Sequence, residues 1–495
     1  MQDTTAIALA MILYMAICLA LGFVAYRRTS SLGDFILGGR SLGSYVTAFS
    51  AQATDMSGWL LMGLPGLAYA SGFDSIWMLL GLAVGTYLNW RLVAARLREA
   101  TERFGDSLTL PDYFERRFAD QTNLLRTISA LFILVFFVFY TSSGFVAAGK
   151  LFESLFGLPY LQSMLWGTAV MLAYTFFGGF LAVSWSDVLQ GTLMFVTLVV
   201  VAVLGVSLVG GPGETMVRLN ARDAQLLDPF VGDSGQTIGW IGIASLIGWG
   251  LGYAGQPHIL ARFMAARSVA AIAKARRVAM VWVVVVLTAA VVVGVTGRLV
   301  LTPPLVGADT EKAFIAMATR FLPPALAGIC LAGVMAAVMS TAAAQLLVAS
   351  SAFAEDIYRG LFRRAAGKTE LLWTGRFAVL VIALLAFLLA RNPDSKVLDL
   401  VGWAWAGFGA AFGPAVILSL YWDRMTRAGA FAGIVAGGLT VVLWKQFAAF
   451  GGVFALYELV PGFALSWLAI WLVSVATRHT RNRALPVDPI ASTRR

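Results

Sequence analysis

Apolar residues fall along this chain in long runs, separated by short segments that are polar, Gly-rich or basic. Thirteen such runs lie near 5–26, 42–70, 72–95, 125–149, 160–182, 187–210, 235–261, 272–299, 314–355, 371–391, 396–422, 428–447 and 452–477. Each has about 20 residues or more, the length an α-helix needs to cross a bilayer. Two of the runs are interrupted. The second contains Ala51-Gln52-Ala53-Thr54-Asp55-Met56-Ser57-Gly58-Trp59, with a carboxylate in its middle and Gly58 close behind. The seventh contains Gly248-Trp249-Gly250-Leu251-Gly252-Tyr253-Ala254-Gly255-Gln256-Pro257-His258, where four glycines and a proline weaken a helix. Runs two to six (42–210) and seven to eleven (235–422) make two five-helix units of similar length, each opening on an interrupted helix. An odd number of helices per unit forces opposite orientations. Interrupted helices at matching positions of two halves point to a transport site at the membrane midplane. The pattern predicts an all-α polytopic membrane protein with a five-plus-five inverted-repeat core. Residues 1–41 precede it as one helix and a cytoplasmic loop, 211–234 form an external loop, and 423–495 add two accessory helices and a basic tail.

Composition excludes the soluble classes. Of 495 residues, 59% are hydrophobic and only 13% charged, and mean hydropathy is +0.81. Cys18 and Cys330 lie inside apolar runs and read as small core residues, while two histidines, His258 and His479, leave no room for a His-rich metal site. The first run has Asp3 before it and Arg27-Arg28 after it, the reverse of a cleavable signal peptide, so it reads as a mature helix. The net charge of +10 invites a nucleic-acid reading, which the placement of the charges opposes. Twenty-seven of the 36 Lys and Arg fall in segments assigned to the cytoplasm, which predicts the N-terminus outside and the C-terminus inside.

A carboxylate inside a membrane helix is costly and by default marks an ion or substrate path. Asp55, flanked by Thr54 and Ser57 and followed by a glycine that frees backbone carbonyls, therefore reads as part of a cation site; the plainer alternative is a carboxylate paired with a basic residue to hold helices together. Arg40 sits at the membrane edge, to neutralise a carboxylate or to meet lipid headgroups. The polar stretch Arg96 to Arg126, with Pro111 as a start signal, predicts a cytoplasmic amphipathic helix and loop. Tyr140, in the polar cluster Tyr140-Thr141-Ser142-Ser143-Gly144, is a packed aromatic or a substrate contact. Asp187 opens the sixth run, either as a favourable acid at a helix N-terminus or as a group on the ion path. Gly178-Gly179 before it permits close backbone approach. Trp249 and Tyr253 are spaced i, i+4, so a helical turn presents both on one face, and the adjacent break favours a pocket. His258 reads as a hydrogen-bonded structural residue near the cytoplasmic end. Ser340-Thr341, among small residues of the ninth run, either bond back to their own helix or offer oxygens to a hard cation. Paired catalytic groups are absent, which argues against an enzyme.

These residues sit in longer blocks that resemble the sodium/solute symporter family, in its proline-transporting branch, over nearly the whole chain. The blocks are Phe35 to Gly43, Asp55 to Gly66, Leu108 to Phe114, Gly178 to Trp185, Gly248 to Tyr253, Gly255 to Met264, Met339 to Thr341 and Trp405 to Pro414. The resemblance implies a LeuT-type core and secondary active transport: Na⁺-coupled import of L-proline by alternating access across the bacterial cytoplasmic (inner) membrane, by a protein functional as a monomer. It implies a sodium site of the Ala53, Met56 and Ala337 carbonyls with the Ser340 and Thr341 hydroxyls, Asp55 supplying nearby charge. Ser57, Gly58, Tyr140, Trp249, Tyr253 and Pro257 are implied to line the proline pocket, and Arg40 and Asp187 to serve sodium-dependent coupling. Thr141-Ser142 replaces smaller or less polar residues expected in that pocket wall. A small zwitterion suits the aromatic faces and helix N-termini here, and no Arg or Lys cluster within the membrane suggests a phosphate or dicarboxylate. The alternatives are another amino acid, a sugar or pantothenate as solute, proton coupling through Asp55 or Asp187, and a transporter-like sensor; a sensor needs an output domain, and this chain ends soon after its last run.

Overall fold

A computed structural model describes residues 2–26, 36–177, 179–232 and 235–477. The expectations for the first cytoplasmic loop, for Gly178 and for the basic tail fall largely outside the described residues. Helices α1 (Gln2–Tyr26), α2 (Ser44–Asp55), α3 (Leu64–Ser71), α4 (Ser75–Leu88), α5 (Ala95–Arg103), α6 (Leu110–Arg117), α7 (Leu124–Phe156), α8 (Tyr160–Phe177) and α9 (Phe180–Val209) make up the first part of the chain. After α10 (Pro212–Arg222) come α11 (Gly239–Gly248), α12 (Pro257–Met264), α13 (Val269–Val300), α14 (Ala313–Phe321), α15 (Pro324–Ser351), α16 (Lys368–Leu389), α17 (Val397–Tyr421), α18 (Arg427–Phe447) and α19 (Leu459–Ala476). Among the described residues the only strand-like pairings are two isolated bridges.

Nine helical stretches among the described residues are long and apolar enough to span a bilayer, and α1 holds a shorter apolar stretch, Thr5–Leu21. The interrupted runs break where expected: the second into α2 and α3, the seventh into α11 and α12. Three boundaries differ from the hydrophobic pattern. The ninth run splits into α14 and α15 because Pro323-Pro324 cannot continue a helix inward. The sixth begins at Phe180 rather than at Asp187, which places that carboxylate about two turns inside α9. The end of the second run and the third run belong to one stretch, Trp59–Arg103, that turns at Gly72 (φ +76°), where a Cβ would lie 2.3 Å from the Leu226 carbonyl oxygen.

The polar segment before α7 forms α5 and α6, and Thr109 caps α6 by accepting from the Asp112 N–H at 3.1 Å. Helices α15 and α17 are the most enclosed; 83% of each apolar window is buried. Small residues make this possible, since Gly333 and Gly328 of α15 lie against Thr197 of α9 and Ile7 of α1. α15 thereby packs beside α2 as well, which brings the ninth run to the first break.

Candidate functional site

The first break is a local failure of the helical hydrogen-bond ladder. The Met56 N–H still reaches the Gln52 carbonyl, but Ser57 N–H bonds to the Asp55 carbonyl and Leu60 N–H to the Ser57 carbonyl. The donors that a regular helix would give to Ala53 and Met56, from Ser57 and Leu60, are thus directed elsewhere. Helix α15 answers the first of these carbonyls: the Ser340 and Thr341 hydroxyls donate to the Ala53 oxygen at 2.7 and 3.3 Å, and Ser340 also reaches the Ala337 carbonyl at 3.1 Å. Four of the five expected sodium ligands therefore converge, and the Met56 carbonyl lies in the same break. All are buried. These are neutral hard oxygens, the donor type that suits an alkali cation. Among the described residues no group of three or more His, Cys, Asp or Glu could hold a metal ion instead.

Asp55 is the carboxylate at this break. Its side chain is buried, with the Tyr253 hydroxyl beside its carboxylate. The plainer reading, an Asp locked to a basic residue, finds no support, since no ion pair involves it among the described residues. The donors around the break go to its main-chain oxygen, from the Trp59 indole at 3.2 Å and the Tyr140 hydroxyl at 3.3 Å. A buried carboxylate with no basic partner among the described residues, beside four clustered oxygens, is a polar site chemically suited to a cation.

Tyr140 and Tyr253 are the aromatic residues facing Asp55. The Tyr140 ring meets His258 edge-on at 5.6 Å, and the Tyr253 ring meets Trp405 edge-on at 4.9 Å. Ser57 is buried with its hydroxyl toward the Trp59 N–H, at 3.5 Å. Gly58 is a contact point between helices, since a Cβ there would lie 2.9 Å from that of Ala147 and 3.4 Å from the Val338 side chain. Pro257 starts α12 directly after the second break, at Gln256.

The structure separates Trp249 from this group. Trp249–Gly255 is wound as a tight turn of about three residues, so residues four apart no longer share a face. Trp249 stacks on Tyr457 at 5.3 Å and packs over Gly402, while Tyr253 turns to Trp405 and Asp55. Tyr457, with its hydroxyl 2.6 Å from the Gly402 carbonyl, belongs to this wall, as does Trp405, which donates to the Trp249 carbonyl at 2.8 Å. Tyr457 sits just before the last helix, outside both interrupted runs, and nothing in its sequence neighbourhood marks it. His258 is buried with no partner at either ring nitrogen, so the expected hydrogen-bonded role does not hold; aromatic rings from α7 surround it instead.

Asp187 is no helix cap. It accepts from the Ser50 hydroxyl at 2.6 Å and pairs with Arg262 at 3.7 Å, all three side chains fully buried. This group ties α9 to α2 and α12. Arg262, counted with the cytoplasmic charges in the sequence, is thus an interior residue. Arg40 neutralises a carboxylate rather than meeting headgroups: its guanidinium bonds Asp106 at 2.6 Å, Thr101 at 3.1 Å, and the Met264 and Ser107 carbonyls. It lies at the end of α12, away from the break.

Comparison with known proteins agrees with this architecture. The chain is 48% identical over 480 residues to the sodium/proline symporter of Escherichia coli, covering 96% of this chain and 94% of that one. It is 47% identical over 461 residues to the high-affinity proline transporter PutP of Bacillus subtilis, covering 93% and 96%. A Na⁺-coupled sialic acid symporter solved in a substrate-bound outward-open state shares the fold, with a TM-score of 0.77 at 16% identity over 95% of this chain and 98% of that one. The Sodium:solute symporter family profile matches residues 35–437, and the chain belongs to that family.

Proposed function

We propose that this protein is a secondary active transporter that imports L-proline with Na⁺ by alternating access. The observation that carries the reading is the meeting of Ser340 and Thr341 with the Ala53 carbonyl beside the buried Asp55 carboxylate, which makes no ion pair among the described residues. Relatives at 48% and 47% identity over nearly the whole chain, named for sodium and proline, support the choice of ligands. In this reading Ala53, Met56, Ala337, Ser340 and Thr341 hold the ion and Asp55 strengthens its binding. Ser57, Gly58, Tyr140, Tyr253 and Pro257 line the proline pocket, and Trp249 closes it from behind through Tyr457. Sodium bridges the broken second run to α15 and so favours the state that takes up proline; by linkage, proline tightens sodium equally. Arg40 and Asp187 serve coupling by holding α12 against its neighbours.

The reading includes thirteen membrane crossings in two inverted five-helix units (42–210 and 235–422), the N-terminus outside and the C-terminus inside a bacterial inner membrane, and a functional monomer. Uptake of labelled proline into proteoliposomes tests it. Uptake is expected to require an inward sodium gradient, and proline entry that survives complete replacement of sodium by choline overturns sodium coupling. Competition by a panel of amino acids, sugars and pantothenate tests the solute.

A further inference from the structure

A second polar feature lies beneath α6, apart from the sodium-site residues. A cavity of about 550 Å³ is lined there by Thr109, Asp112, Glu115, Arg126, Glu355 and Asp356 with their neighbours. A cleft of about 20 Å³, room for about one water, shares Leu108 and Thr109 with it and reaches inward past Val348 and Ala261 to Pro257. A series of hollows thus leads from the first residue after the second break to the polar face of the molecule.

One side chain joins several carboxylates of the larger hollow. Arg126, in the first turn of α7, pairs with Asp112 and, at 2.7 Å, with Glu115 of α6; it also pairs with Asp356, beyond α15, at 3.2 Å. Asp356 is buried, takes the Thr109 hydroxyl at 3.1 Å on the same oxygen, and keeps its second oxygen without a hydrogen bond. Thr109 lines both hollows, so this hydrogen bond ties the helix after α15 to the place where they meet. A planar guanidinium can serve several carboxylates from fixed directions; without it Asp112 keeps Arg116 at 2.8 Å, while Glu115 and Asp356 lose the cation between them. Beyond α15 the helix continues in a π-helical segment, Ala352–Phe362, so one helical stretch carries both Ser340-Thr341 and Asp356. A shift of that stretch when sodium leaves Ser340 and Thr341 acts on the clasp directly.

We propose that these hollows are the route by which proline reaches the cytoplasm, and that Arg126 with Asp112, Glu115 and Asp356 is the clasp that keeps the route shut. The proposal rests on the reading of Pro257 as part of the proline pocket and of this face as cytoplasmic. The test places a cysteine at Ala261 in the full-length protein, after replacing Cys18 and Cys330 by Ala, and measures labelling by a membrane-impermeant maleimide in inside-out vesicles. Arg126→Gln is expected to speed labelling about tenfold or more, because one partner of a buried ion cluster is gone. Thr109→Val, which leaves the ion pairs, gives a smaller rise, and Arg126→Lys restores most of the protection. Labelled Ala261→Cys protein is expected to stop efflux of preloaded proline. Equal labelling rates with and without Arg126 overturn the clasp, efflux through fully labelled protein overturns the route, and labelling from the outer face alone overturns the cytoplasmic assignment. The labelling readouts need no proline at the central site, and failure of the proline-pocket reading would show separately as an unchanged proline half-saturation in Tyr253→Phe.

Discussion

At the scale of single residues, Asp55 and Gly58 do different work although they stand three positions apart. Asp55 makes no ion pair among the described residues, so its charge is available to a cation. A unit charge about 6–8 Å from sodium, at an effective dielectric of about 20, is worth about 2–3 kcal/mol. Asp55→Asn is therefore expected to raise the sodium concentration for half-maximal proline uptake about a hundredfold; normal uptake with unchanged sodium dependence removes Asp55 from the mechanism. Gly58 is held by packing, since a methyl group there runs into Ala147 at 2.9 Å. Gly58→Ala is expected to cost about 1–3 kcal/mol of stability, with loss of transport, through overpacking. Ala147→Gly in the same protein returns the space. Recovery of melting temperature and uptake in the double variant assigns Gly58 to helix contact, whereas persistent loss of proline affinity assigns it to the pocket wall.

At the scale of elements, the breaks were legible from the glycines and from Asp55, because a carboxylate and backbone-freeing residues in one apolar run leave few structural solutions. The shape of the second break was not. The spacing of Trp249 and Tyr253 implies a shared face only if the turn is α-helical, and the tighter winding of Trp249–Gly255 sends the rings to different partners. A double-mutant cycle on Trp249→Leu and Tyr457→Leu is accordingly expected to show a coupling of about 0.5–1.5 kcal/mol in stability or proline affinity, larger than the cycle on Trp249 and Tyr253. Asp187 was misplaced for a related reason. Hydrophobic patterning sets a helix boundary at a charge, and it cannot see that Ser50 and Arg262 satisfy that charge inside the bundle. Asp187→Asn leaves the buried Arg262 without this carboxylate and is expected to cost about 3–5 kcal/mol. Asp187→Asn with Arg262→Gln removes both charges and is expected to recover much of the melting temperature in detergent. A double variant no more stable than the single would show that the ion pair is not what joins α2, α9 and α12.

At the scale of the whole molecule, the proposed orientation rests on charge, and the structure changes which charges count. The positive-inside bias acts through Lys and Arg in loops near the ends of membrane helices. Arg98, Arg117 and Arg262, all within the twenty-seven assigned to the cytoplasm, are buried in the fold, and so is Lys150 among the nine assigned outside. Setting these aside leaves twenty-four against eight, the same three-to-one ratio as before. The bias therefore does not depend on interior residues that only resemble loop charges in the sequence. The clasp proposal carries the same sign, since Arg126 and the cavity it closes lie on the face assigned inward. Fusions at the C-terminus give an independent reading: a fluorescent protein that matures only in the cytoplasm is expected to glow there, and a phosphatase that folds only outside is expected to stay inactive. The same pair placed in the segment 211–234 is expected to reverse, with an active phosphatase and a dark fluorescent protein. Matching signals from the two sites would break the thirteen-span topology, because the seven crossings between them require opposite sides.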